Sequence, residues 1–105
     1  MATTTKIRST QVDDRVLRAR SAHRPYATAQ ALGVDIVTSP NLVDDDDLIY
    51  ARLARAADPV AVYPGKVVTF GKHGARWRGR VVAWDFELSD DDPTVLIEFR
   101  EALRS

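Results

Sequence analysis

The chain has no cysteine and a single methionine among its 105 residues. Without cysteine there is no disulfide framework, no thiolate metal site and no cysteine nucleophile, which fits a cytoplasmic protein. Long apolar runs are missing too. No stretch approaches the roughly 20 residues that cross a bilayer, and the opening MATTTKIRST lacks the apolar core of a secretory signal. No membrane partner is therefore expected. A surplus of either charge is also absent, because fifteen Lys+Arg balance fifteen Asp+Glu. That balance excludes a globally basic nucleic-acid binder and an acidic chain held open by self-repulsion. What is present is a 45% apolar and 29% charged composition, ordinary for a folded domain and too apolar for disorder. Folding a chain of this length buries roughly 65% of its unfolded surface, enough for one modest core.

The neutral total hides blocks. Residues 59–80 carry Lys66, Lys72, Arg76, Arg78 and Arg80 and no acid, whereas residues 81–105 set seven acids against Arg100 and Arg104. Residues 1–24 are basic and residues 44–58 acidic. Such blocks arise when oppositely charged elements lie side by side, or when one face is basic and another acidic and partners are steered between them.

Hydrophobic periodicity divides the chain in two. Residues 1–11 read as a flexible arm. From Val12 to Ala22, Val12, Val16, Leu17 and Ala19 make a helical stripe, with Asp13 and Asp14 at its start and arginines towards its end, as the helix dipole favours. Pro25 opens a second short helix to Leu32, and Gly33 suits its C-terminal cap. Val34–Val37 is extended and Thr38–Asn41 a turn. A third helix is predicted over Asp45–Ala57, capped by Asp44, with Leu48, Ile49, Leu53 and Ala56 inward and Asp58-Pro59 as its stop. The segment 12–57 is thus expected to be helical.

Beyond residue 60 the period changes to two. Pro64-Gly65 turns into a strand over 66–70, Gly71–Ala75 is a loop, and a long strand runs from Arg76 to about Phe86. Arg76, Arg78 and Arg80 share one face of it and Trp77 and Val81 the other, but by Val82, Trp84 and Phe86 the bulky groups have changed sides. That switch suits a strand curling around a small barrel, eased by Gly79. Residues 87–93 form a polar turn, Thr94–Phe99 a strand, and 101–104 a closing turn of helix. The fold class expected is α+β: a helical segment, then an antiparallel barrel over about 60–104.

Three pieces carry a resemblance: Pro64-Gly65-Lys66-Val67-Val68 opening a strand, Trp77-x-Gly79-x-Val81 in the next, and Thr94–Phe99 closing. Together they resemble an SH3-like small β-barrel of the KOW and Tudor kind. The resemblance implies a module that binds RNA, DNA, peptides or other subunits, and fold alone does not choose among these. In Tudor-type barrels an aromatic cage does the reading, for which Tyr63, Phe70, Trp77, Trp84 and Phe86 are available.

The strongest candidate site is Lys66, Lys72, His73, Arg76, Arg78 and Arg80. Alternate strand positions lie about 6.8 Å apart, close to the phosphate interval of a nucleic-acid strand, so the arginine ladder can follow a backbone. Arg15, Arg18 and Arg20 on the first helix are possible extensions. The other reading pairs the arginines with Glu98 or the Asp90–Asp92 turn, leaving a solvated face. Ala29-x-x-x-Gly33 is reminiscent of a helix-turn-helix, but Pro40 falls where its reading helix would run. The Asp44–Asp47 run lacks the ligand spacing and glycine of a calcium loop. His23 and His73 lack metal-ligand spacing, and no phosphate-loop, dinucleotide or nucleophile-elbow motif is present. No enzyme activity, cofactor or metal is therefore expected.

The function expected is a small non-enzymatic binding module that engages nucleic acid or a nucleoprotein through the basic strand face. The alternative is a structural or adaptor subunit of an assembly, such as a phage virion connector, in which copies or protein partners meet basic to acidic. A regulator of a single host protein is also open.

Overall fold

In the computed structural model, which describes residues 8–87 and 91–103, the alternating stretch after Ala75 becomes the central strand. Chain order is β1 (Arg8–Ser9), α1 (Asp14–Ser21), α2 (Ala27–Leu32), β2 (Ile36–Val37), β3 (Ile49–Arg52), 3-10 turns at Leu53–Arg55 and Pro59–Ala61, β4 (Val67–Lys72), β5 (Ala75–Asp85) and β6 (Thr94–Leu103). The sheet order is β2-β4-β5-β6-β3, and β1 adds along the far end of β5. β2 runs parallel to β4 and the other pairs are antiparallel. A bridge between Ile36 and Ala56 ties the two edges together, so the small mixed sheet is barrel-like and nearly closed.

Local chemistry sets the element ends. The Asp13 carboxylate accepts from Val16 N at 3.0 Å and caps α1. Gly33, at φ 71°, ends α2 in the left-handed conformation that a side chain disfavours. The β4–β5 connection is tighter than the predicted loop: β4 continues through Gly71 and Lys72, leaving His73 and Gly74 to turn. Asp35 fastens β2 to β4 by accepting from Thr69 N (2.8 Å) and Thr69 Oγ1 (3.2 Å).

The third helix is not formed. Residues 49–52 are a strand paired with β6, Ile49 opposite Ile97 and Ala51 opposite Val95. The apolar residues here satisfy both periods, and the strand reading, with Ile49, Ala51 and Leu53 buried, wins because β6 supplies a hydrogen-bonded partner. The Asp run closes on itself instead of capping a helix. Asp44 Oδ1 accepts from Asp46 N (2.9 Å) and Leu48 N (3.0 Å), and Arg8 reaches Asp44, Asp46 and Asp85 at 3.0 to 3.5 Å. Arg8 and Ser9, inside the expected arm, therefore join the sheet as β1, while the rest of the arm, residues 1–7, lies outside the described residues. At the other end β6 stays extended to Leu103, where a helical turn was predicted, because it remains paired with Arg76–Arg78.

Two bulges shape the β5–β6 ribbon. Val82 has no counterpart on β6, so Val81 and Trp84 both face the core, opposite Ile97 and Val95. This extra residue is the physical origin of the switch in alternation. Arg100 is the unmatched residue on β6, between the Gly79–Phe99 and Arg78–Glu101 pairs.

The core gathers Phe70, Trp84, Ile36, Ile49, Leu53 and Ile97, each 2% exposed or less, with Val16 and Ala19 of α1 laid against it. Burial of an aliphatic or Phe side chain of this size contributes roughly 1.5–3 kcal/mol. The Trp84 indole donates to Val62 O at 2.8 Å, so its polar atom is satisfied inside. Among the described residues no helix is long and apolar enough to cross a membrane.

Candidate functional site

β5 carries the predicted ladder on its outer face. Arg76, Arg78 and Arg80 are all exposed, opposite Gly71, Thr69 and Val67 of β4 and Leu103, Glu101 and Glu98 of β6. The ladder is not uniform. Arg78 Nη1 donates to Glu101 Oε1 at 2.8 Å, and Glu98 is held by Arg100 at 3.3 Å. The Arg100 bulge causes this. A regular ladder would set Arg100 opposite Arg78, cation against cation, whereas the extra residue brings Glu101 there. Arg76 and Arg80 make no side-chain hydrogen bond or ion pair among the described residues. Asp90, one of the expected partners, lies outside them.

The other predicted cations distribute around this strand. Lys72 ends β4 and His73 stands exposed in the turn, so both flank Arg76. Lys66 is exposed at the entry to β4, where its carbonyl accepts from Val81 N at 2.8 Å. The helix arginines do not join the set. The Arg15 guanidinium lies 5.3 Å from the centroid of the Phe86 ring, just past the end of β5, and Arg15 and Arg18 line a small hollow with Asp91. Arg20 is half-buried on the same helix. Nor do the aromatics form an exposed cage: Phe70, Trp84 and Phe86 are buried, and Trp77 stacks on Phe70 at 5.8 Å.

Two hollows meet at Lys72. A depression of about 190 Å³ is bordered by Lys72, Arg76, Leu32 and Leu103. A groove of about 550 Å³ follows the seam between β2 and β3, with Val37, Leu42, Tyr50 and Ala51 as apolar lining and Arg52, Arg55 and Lys72 as cations. Among the described residues neither has an acid in its lining. Arg52 has one acidic neighbour, Asp92, at 3.6 Å, and its side chain is 71% exposed, so solvent screens that pair. The Thr38 hydroxyl donates to Tyr50 O (2.8 Å) and Tyr50 N donates to Leu42 O (2.9 Å), which fixes the groove wall. Arg52, Arg55 and Tyr50 were not among the predicted site residues, because the segment holding them reads as helix. The alternation of Tyr50 and Arg52 with buried Ile49 and Ala51 is the signal that points them outward.

The opposite end of β5 is acidic. Asp44, Asp45, Asp46, Asp85 and Glu87 surround Arg8 in a hollow of about 760 Å³. Arg76 and Asp85 are nine positions apart, about 30 Å along a straight strand. Among the described residues no group of three or more His, Asp or Glu is placed to hold a metal ion. No known protein family, curated protein or solved structure matches the chain.

Proposed function

We propose that this protein is a non-enzymatic nucleic-acid-binding module whose contact surface is the basic end of the barrel, centred on Lys72, Arg76 and Arg80. One observation carries the reading: among the described residues Arg76 and Arg80 stand exposed on one strand face without an acidic partner, and Lys72 joins them to a hollow that no described acid lines. Their four-residue separation is about 13 Å, two phosphate intervals. The likeness of the 64–99 motifs to KOW- and Tudor-type barrels supports a binding role and adds no choice of ligand.

Fluorescence anisotropy with a labelled oligonucleotide, titrated across salt, tests this. Three neutralised phosphates give a slope of about −2 in log affinity against log salt for a single strand, so affinity falls roughly 20-fold between 50 and 200 mM. Arg76→Gln and Arg80→Gln weaken binding strongly. Arg78→Gln has a smaller effect, since Glu101 already occupies that guanidinium. Binding indifferent to salt, or equal losses at all three arginines, refutes the assignment.

The acidic hollow at the far end of β5 favours a second reading, an assembly subunit whose copies meet head to tail, basic end to acidic end. Light scattering separates the two. A salt-sensitive oligomer that leaves oligonucleotide mobility unchanged supports assembly, and a monomer that binds the oligonucleotide supports the first reading.

A further inference from the structure

The seam groove differs chemically from the open arginine face. Its lining combines one aromatic residue, Tyr50, with three cations, Arg52, Arg55 and Lys72. Tyr50 is 38% exposed and Leu42 43%; both line the groove beside Val37 and Ala51, and Tyr50 also borders the hollow that holds Asp44, Asp45 and Asp46. Arg55 and Lys72 make no side-chain ion pair or hydrogen bond among the described residues. Apolar surface next to unpaired cations is what a nucleotide requires, a flat π-face joined to a phosphate. The volume of about 550 Å³ lies within the range of small-ligand sites. Lys72 borders both this groove and the depression with Arg76, so a strand lying along β5 can continue into the cleft without crossing an acid.

We infer that the groove between β2 and β3 seats one nucleotide of a single strand, with the base against Tyr50 and Leu42 and the phosphate among Arg52, Arg55 and Lys72. The inference rests on the nucleic-acid reading above and narrows it. A base stacked in a duplex has no free face to offer Tyr50, so the groove makes the protein selective for unpaired strands. The contacts at β5 are phosphate contacts, which serve duplex and single strand alike.

The test is a ¹⁵N–¹H titration of the whole chain with an oligothymidylate 8-mer and, separately, with a 12-base-pair duplex at 50 mM salt. The single strand shifts amides of 37–39, 41–42, 50–55 and 72 as well as 76–80, and the duplex shifts only those of β5. Tyr50→Ala lowers single-strand affinity about tenfold, in line with the loss of one base–aromatic stack, and leaves duplex affinity unchanged. Arg55→Glu repeats the selective loss through the phosphate. Because the Tyr50 hydrogen bonds noted above are made by its backbone, the alanine variant keeps them. Shifts confined to residues 76–80 with both oligonucleotides, or a Tyr50→Ala variant that binds both like the parent, overturn the groove assignment and leave the β5 reading standing. No shift with either oligonucleotide overturns both.

Discussion

Replacing Gly79 with alanine tests the close approach of β5 to β6 that the whole ribbon depends on. Gly79 is buried opposite Phe99, and its backbone does not require a left-handed conformation, so the cost of a methyl group is steric alone. A Cβ there would lie 2.7 Å from Glu98 O and 3.0 Å from Phe70 Cε1, and would also collide with Ile97 Cγ2. Phe70 and Ile97 are core residues and Glu98 O is backbone, so none of the three can swing away. Overpacking of this kind costs 1–3 kcal/mol, and the backbone contact places Gly79→Ala near 3 kcal/mol. With a urea m-value of about 1–3 kcal/mol per molar, the midpoint should drop by 1 M or more at unchanged m. The melting temperature should fall by about 12 °C or more. Gly74→Ala is the contrast: its φ of 86° penalises a side chain but nothing lies within 4 Å, so the loss is conformational, about 1 kcal/mol. A Gly79→Ala variant within 0.5 kcal/mol of the parent would mean the strands do not approach as described, and the argument for the ribbon would fail.

Other consequences are open to measurement. Asp13→Ala should cost about 1 kcal/mol through loss of the α1 cap, read by chemical denaturation. The Asp13 carboxyl is held below its usual 3.8 chiefly by the Val16 N–H, then by the Ser9 side chain. Its contribution is therefore complete above pH 3.8 and disappears as pH falls through the lowered value, so the gap between parent and variant should close in acid. Trp84→Phe strands the Val62 carbonyl in the core and should cost about 2 kcal/mol by calorimetry, against near-neutrality if water reaches that carbonyl. Arg8→Ala leaves Asp44, Asp46 and Asp85 facing one another without their shared cation. It should lower the melting temperature more at 10 mM than at 500 mM salt, since screening relieves carboxylate repulsion.

The parts of this molecule that could be read from the chain are those whose signal is local. Gly33 ends a helix because of its own φ, and the change of faces along 76–86 announces a bulge because Val81 and Trp84 both have to be inside. Residues 45–57 were illegible for the opposite reason. Leu48, Ile49, Leu53 and Ala56 fit a helix as well as Ile49, Ala51 and Leu53 fit a strand, and the partner that decides, β6, lies more than forty positions away in the chain. The candidate site divides the same way. Alternation was enough to bring Arg76, Arg78 and Arg80 to one face, while the capture of Arg78 by Glu101 depends on an unmatched residue in another strand. Arg52 and Arg55 went unnoticed because their outward position follows from the strand assignment that was missed.

The irregularities at Val82 and Arg100 sit on opposite strands and cancel. Pairs outside them share a single offset, and only Gly79–Phe99, Arg80–Glu98 and Val81–Ile97 run one step away from it. Each extra residue is nonetheless independent of the other. Losing Val82 alone leaves Val81–Ile97 and Ala83–Leu96 as consecutive pairs, and losing Arg100 alone does the same for Gly79–Phe99 and Arg78–Glu101, so every other residue keeps its partner and its side. Length variation tolerated in this part of the protein should therefore be loss of a single residue at either bulge.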